Sequence, residues 1–135
     1  MFRLILIALI AIPFMLNNAC TTGIISGKFT KDGRPLIFKH RDTGSLQNKL
    51  MYFTDGDYDY IGVINSKDTS GEQVWMGTNA AGFSIMNSAS YNLKPEDDTT
   101  SAKDREGIIM KLALQKCETI EDFEELLEDL PKPLG

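Results

Sequence analysis

Between Cys20 and Ser88 the chain is a succession of short apolar runs, each closed by a turn signal, and no segment in it has the length and spacing of a helix. Thr22–Phe29 is rich in β-branched and apolar residues, and Asp32-Gly33 after it is a strong hairpin signal. Pro35 opens a second strand, Leu36–His40, expected to pair back on the first. A polar stretch from Arg41 to Lys49 leads to Leu50–Phe53, with a further turn at Asp55-Gly56. Tyr58–Asn65 alternates as a strand, and the polar loop Ser66–Gly71 ends it. Gln73–Gly77 and Phe83–Asn87 then flank a tight connection, Thr78–Gly82. A run of antiparallel hairpins is the expected outcome.

The pattern changes at Leu93. The segment Lys94–Ser101 is polar and acidic and reads as an exposed loop. Asp104 can cap a helix from Arg105 to Cys117, with Ile108, Ile109, Leu112 and Ala113 on one stripe. Thr119 with Asp122 forms a capping-box pattern opening a second helix through Asp129. Its apolar face is Ile120, Phe123, Leu126, Leu127 and Leu130, and Pro131 and Pro133 end it. Strands followed by helices imply an α+β fold, antiparallel β-sheet with helices on one face. Strands as apolar as Gly23-Ile24-Ile25, Leu36-Ile37-Phe38 and Ile61–Ile64 need cover on their other face too. That need, with an ending directly after a helix, suggests the first part of a larger domain.

The N-terminal segment has a different character. Met1-Phe2-Arg3 carries one positive charge, Leu4–Leu16 is apolar apart from Pro13, and Asn17-Asn18-Ala19 is a polar exit. A run this short suits a signal peptide, residues 1–19, better than a membrane span. Cleavage after Ala19 makes Cys20 the first residue of an exported chain, periplasmic or extracellular. Lipid attachment at Cys20 is the rival reading of the junction, although Asn17 stands where that processing prefers leucine. Without the leader, 13 basic face 19 acidic residues, a net charge of −6. Phosphate contacts need grouped Lys and Arg, so nucleic acid is a poor partner.

An N-terminal cysteine places a thiol nucleophile and a basic α-amine on one residue. The second cysteine, Cys117, lies in a helical run and reads as a buried structural thiol. His40 is the single histidine and reads as structural, and without grouped cysteines there is no zinc pattern. The run Glu96-Asp97-Asp98 lacks calcium-loop spacing, and no glycine-rich nucleotide cradle occurs, so no cofactor is expected. Asn79 reads as a turn residue tolerant of a left-handed backbone. Leu50–Asp59, with Tyr52, Phe53, Tyr58 and Tyr60, is a candidate aromatic wall for an acyl pocket, or core.

Cys20-Thr21-Thr22, Lys31-Asp32-Gly33-Arg34-Pro35-Leu36, Lys39-His40-Arg41-Asp42 and Gly77–Ser88 together resemble the N-terminal-nucleophile hydrolases. The nearest branches are the penicillin V acylase and choloylglycine hydrolase group, the acyl-CoA:6-aminopenicillanic acid acyltransferase-like proteins and the dipeptidases that begin Cys-Thr-Thr. The resemblance covers most of residues 20–130. It implies a four-layer αββα sandwich, incomplete here, and hydrolysis of a linear amide in a small-molecule substrate through an acyl-enzyme on Cys20. Cys20 would be the nucleophile, Asp42 would hold the α-amine, and Asn87 would contribute to an oxyanion hole. Many relatives carry Arg-Asn-x-Asp; here Lys39 occupies the arginine position and Arg41 precedes Asp42, so Lys39 or Arg41 is the candidate substrate-binding cation. Lysine lacks the planar fork of arginine. A second asparagine and a late arginine of the hydrolase branch would come from beyond residue 135. Without catalysis, the alternative is a Cys-anchored lipoprotein or an inactive fragment; oligomeric state is open.

Overall fold

A computed structural model describes residues 20–88, 105–132 and 134. The leader, the acidic loop and the Asp104 cap therefore lie outside the described residues. Among the described residues, six strands and two α-helices follow in the order expected. They are β1 (Thr21–Ile25), β2 (Leu36–His40), β3 (Asn48–Phe53), β4 (Tyr60–Asn65), β5 (Met76–Asn79), β6 (Ser84–Met86), α1 (Glu106–Lys116) and α2 (Ile120–Asp129). The fold is α+β, with two antiparallel sheets: a β1–β2 hairpin and a β3-β4-β5-β6 meander.

The first strand is shorter than expected. It ends at Ile25, and Gly27–Phe29 forms a turn of 3-10 helix capped by Ser26. The cause is a close backbone approach: a Cβ on Gly27 would lie 2.1 Å from the Gly33 carbonyl oxygen. Only glycine permits the chain to double back there.

The core lies between the meander and α1. Phe53, Tyr60 and Ile64 from the sheet, with Val74 just ahead of β5, meet Ala113, Leu114 and Cys117 from the helix side. Alternation along β4 puts Tyr60, Gly62 and Ile64 toward α1 and Ile61 and Val63 on the opposite face. Phe53 and Tyr60 stack at 4.6 Å, and burying a side chain such as Leu114 is worth roughly 1.5–3 kcal/mol. The buried face of α1 is rotated from the expected stripe: Ile109, Met110, Ala113 and Leu114 are buried, while Ile108 is exposed. Val74 N–H donates to the Gly107 carbonyl at 3.0 Å, fixing which face of the first turn meets the sheet.

The capping box on α2 forms as its spacing predicts. Thr119 Oγ1 accepts from Asp122 N at 3.1 Å, and Asp122 Oδ2 accepts from Thr119 N at 2.8 Å. From its apolar face, Phe123 and Leu126 pack against the core, but Ile120 is exposed.

The remaining apolar strand faces are not covered by the described residues. Ile24, Leu36, Phe38, Leu50 and Ile61 are all exposed. A groove of about 680 Å³ separates Leu36 and Ile37 of β2 from Leu50, Ile61, Val63 and Met76 on the meander's outer face.

Candidate functional site

Antiparallel pairing assembles the first part of the site. Thr21 pairs with His40, so the residues just outside the pair, Cys20 on one strand and Arg41-Asp42 on the other, emerge at the same end of the hairpin. There Cys20 Sγ lies 3.8 Å from the Asp42 carbonyl oxygen, a contact within reach of a weak thiol donor. Both residues line a cavity of about 360 Å³, together with Lys39, Arg41, Trp75 and Asn87.

Asn87 reaches the site from the far end of β6. Lys39 Nζ donates to the Asn87 carbonyl oxygen at 2.7 Å, to Asn87 Oδ1, and to the Trp75 carbonyl oxygen at 3.3 Å. Three donors thus meet three acceptors, none of them a carboxylate. Because Oδ1 accepts from Lys39, the Nδ2 amide of Asn87 is the half of the side chain left to donate elsewhere. Ser88 Oγ also donates to the Cys20 carbonyl oxygen at 3.4 Å.

Arg41 projects the other way. Its Nη1 donates to Asn48 Oδ1 and, at 2.5 Å, to Asn65 Oδ1. Its guanidinium lies 4.6 Å from the centre of the Trp75 ring, a cation–π contact. Burial pulls the ammonium of Lys39 below its ordinary value, and neighbouring Arg41 adds to that; negative charge on the nearby Cys20 sulfur opposes it. Arg41 is shifted down by the same burial, again offset by Cys20. Two half-buried cations therefore flank the thiol. The indole Nε1 of Trp75 is buried without a hydrogen-bond partner among the described residues.

Of the residues singled out from sequence, Cys20, Lys39, Arg41, Asp42 and Asn87 come together. Tyr52 and Phe53 do not join them. Phe53 is 5% exposed and belongs to the core, where its ring also faces Lys111 Nζ at 5.0 Å. Alternation puts Tyr52 on the outer face, where its hydroxyl donates to Asp59 at 2.5 Å beside a different hollow. Tyr58 bonds Glu118, and Tyr60 donates to Asp55 at 2.7 Å, so neither reaches the Cys20 cavity. His40 is exposed and does not line that cavity.

Asn79 differs from its expected role. It is the buried last residue of β5, and the positive φ in the turn belongs to Gly82, at 95°. Its Nδ2 donates to the Leu114 and Cys117 carbonyl oxygens at 3.0 and 2.8 Å, and its Oδ1 accepts from Phe83 N at 2.9 Å. Cys117 is a free buried thiol, as expected, and burial raises its pKa.

Trp75, Asn48 and Asn65 were not singled out from sequence. Asn48 and Asn65 are register partners at one end of β3–β4, a pairing visible only once the strands are aligned. Trp75 is the one tryptophan, without a surrounding motif to mark it. Among the described residues, no three His, Cys, Asp or Glu side chains are grouped to hold a metal, and no helix is long and apolar enough to cross a membrane. No family model, curated protein or solved structure matches the chain.

Proposed function

We propose that the Cys20 cavity is the active site of an exported amide hydrolase of the N-terminal-nucleophile type, cleaving a linear carbon–nitrogen bond in a small molecule. The observation that carries this reading is that Cys20, Asp42 just past β2, and Asn87 just past β6 and held through Lys39, line one cavity. Helix α1, the meander and the hairpin would be three layers of an αββα sandwich.

In this reading, cleavage after Ala19 frees the α-amine of Cys20, and Asp42 orients it. The amine takes the thiol proton as sulfur attacks the amide carbonyl and the C–S bond forms. Nδ2 of Asn87 donates to the developing oxyanion, while Lys39 keeps that amide turned the right way. The C–N bond breaks as the ammonium returns its proton to the leaving amine. Water then attacks the thioester, releasing the carboxylic acid and restoring the thiol.

The test has two parts. Intact mass of the exported protein should show a chain starting at unmodified Cys20; a diacylglyceryl adduct, or a start elsewhere, removes the amine as base. Turnover is then measured on penicillin V, a glycine-conjugated bile acid, an N-acyl amino acid and a dipeptide. Cys20→Ala should abolish it, and Asn87→Ala should lower kcat by about 10²–10³ with little change in KM. Full turnover in Cys20→Ala would end the proposal.

A further inference from the structure

Among the described residues, little holds the hairpin that carries Cys20 in place. None of its strand residues is fully buried, and Ile24, Leu36 and Phe38 are largely exposed. Backbone contact between the hairpin and the meander is sparse. A two-stranded hairpin alone in water is marginal at best. What joins its Cys20 end to the larger sheet is mostly polar, and most of it passes through Lys39 and Arg41.

These two cations do different things. Lys39 touches Asn87 itself. Arg41 spans the end of the meander, one nitrogen reaching both asparagines that face each other across β3 and β4, its guanidinium carbon over the Trp75 ring. Reaching both asparagines while the guanidinium carbon lies over the indole uses the length and the several N–H groups of arginine, and a lysine ammonium, a compact point charge, does not reproduce that span. We infer that Arg41 is a positioning residue, a clamp from the hairpin to Asn48, Asn65 and Trp75 that keeps Cys20 and Asp42 against Asn87, and not a substrate-binding cation. The clamp stands on geometry alone; only its effect on turnover rests on the hydrolase reading.

Backbone hydrogen exchange, followed by mass spectrometry, tests it in the full chain carrying Arg41→Lys, Arg41→Met, or Asn48→Ala with Asn65→Ala. Exchange in residues 21–25 and 36–40 should rise about tenfold or more in all three variants, since hydrogen bonds to a charged group are the stronger kind. Exchange in β4 and β5 should not change. In Arg41→Lys, turnover of penicillin V should fall in kcat with KM unchanged. Unchanged hairpin exchange, an equal rise in both sheets, or rescue by Arg41→Lys overturns the clamp. A rise in KM at constant kcat returns Arg41 to substrate binding. If the wild type does not turn over penicillin V, the hydrolase reading suffers, and exchange alone decides the clamp.

Discussion

Replacing Asn79 with alanine should cost more than its place at a hairpin turn suggests. The side chain is 6% exposed and makes three hydrogen bonds, two donated to carbonyls at the end of α1 and one accepted from the Phe83 N–H. Alanine offers no partner to any of these groups, and at this depth bulk solvent does not reach them freely. An unsatisfied buried polar group costs about 1–3 kcal/mol. With the two carbonyls at the low end and the N–H slightly above it, the total is about 3–4 kcal/mol. For a domain of this size that is a fall in Tm of about 12–16 °C. Urea denaturation followed by far-UV circular dichroism measures it, with the slope m expected to match the wild type. Asn79→Asp keeps the shape but points a carboxylate at two carbonyl oxygens. At pH 7 it should lose at least as much, and part of the difference from wild type should disappear in acid as the carboxyl becomes a donor. A loss below about 1 kcal/mol in Asn79→Ala, with m unchanged, would refute the claim that these bonds tie the β5–β6 turn to the helix.

The other predictions concern the thiols and the acid limb. Dithionitrobenzoate should titrate one thiol rapidly in the native chain, Cys20, and the second only on unfolding, because Cys117 is buried at 1% exposure; fast reaction of both would contradict that burial. Burial pushes the Asp68 carboxyl up, but N–H groups of Gln73, Glu72 and Gly71 outweigh it and hold the carboxyl below its usual 3.8. The unfolded state therefore binds the proton first as pH falls. The Asp68 contribution should be complete above pH 3.8 and lost below it, and Asp68→Asn should flatten that part of the stability–pH curve. An unchanged acid limb in the variant would show that the loop hydrogen bonds contribute nothing.

Local chemistry made much of the architecture legible. Thr119 and Asp122 satisfy one another's backbone N–H groups within a single turn, so their spacing alone announces the start of α2. Asp32-Gly33 and the following Pro35 likewise specify a reversal and a returning strand, and β2 does pair with β1. Where expectation failed, a distant neighbour decided. The first strand stops because Gly27 meets the Gly33 carbonyl, and α1 turns a different face to the sheet because Val74 bonds Gly107. Phe53 could have been pocket or core by composition; stacking on Tyr60 makes it core.

The same division runs through the site. Cys20, Asp42 and Asn87 were visible as residue types in a suggestive order, because nucleophile, carboxylate and amide are chemical properties carried by the side chains themselves. Their convergence was not visible, since it depends on the hairpin register and on Lys39 reaching 48 residues along the chain to Asn87. Nor could sequence separate Lys39 from Arg41, two cations two positions apart on the same segment. Tertiary structure sends one to Asn87 and the other to Asn48, Asn65 and Trp75. Turns, caps and reactive groups are determined over a few residues and can be read from sequence; which partners a long cation finds depends on how two sheets lie against each other.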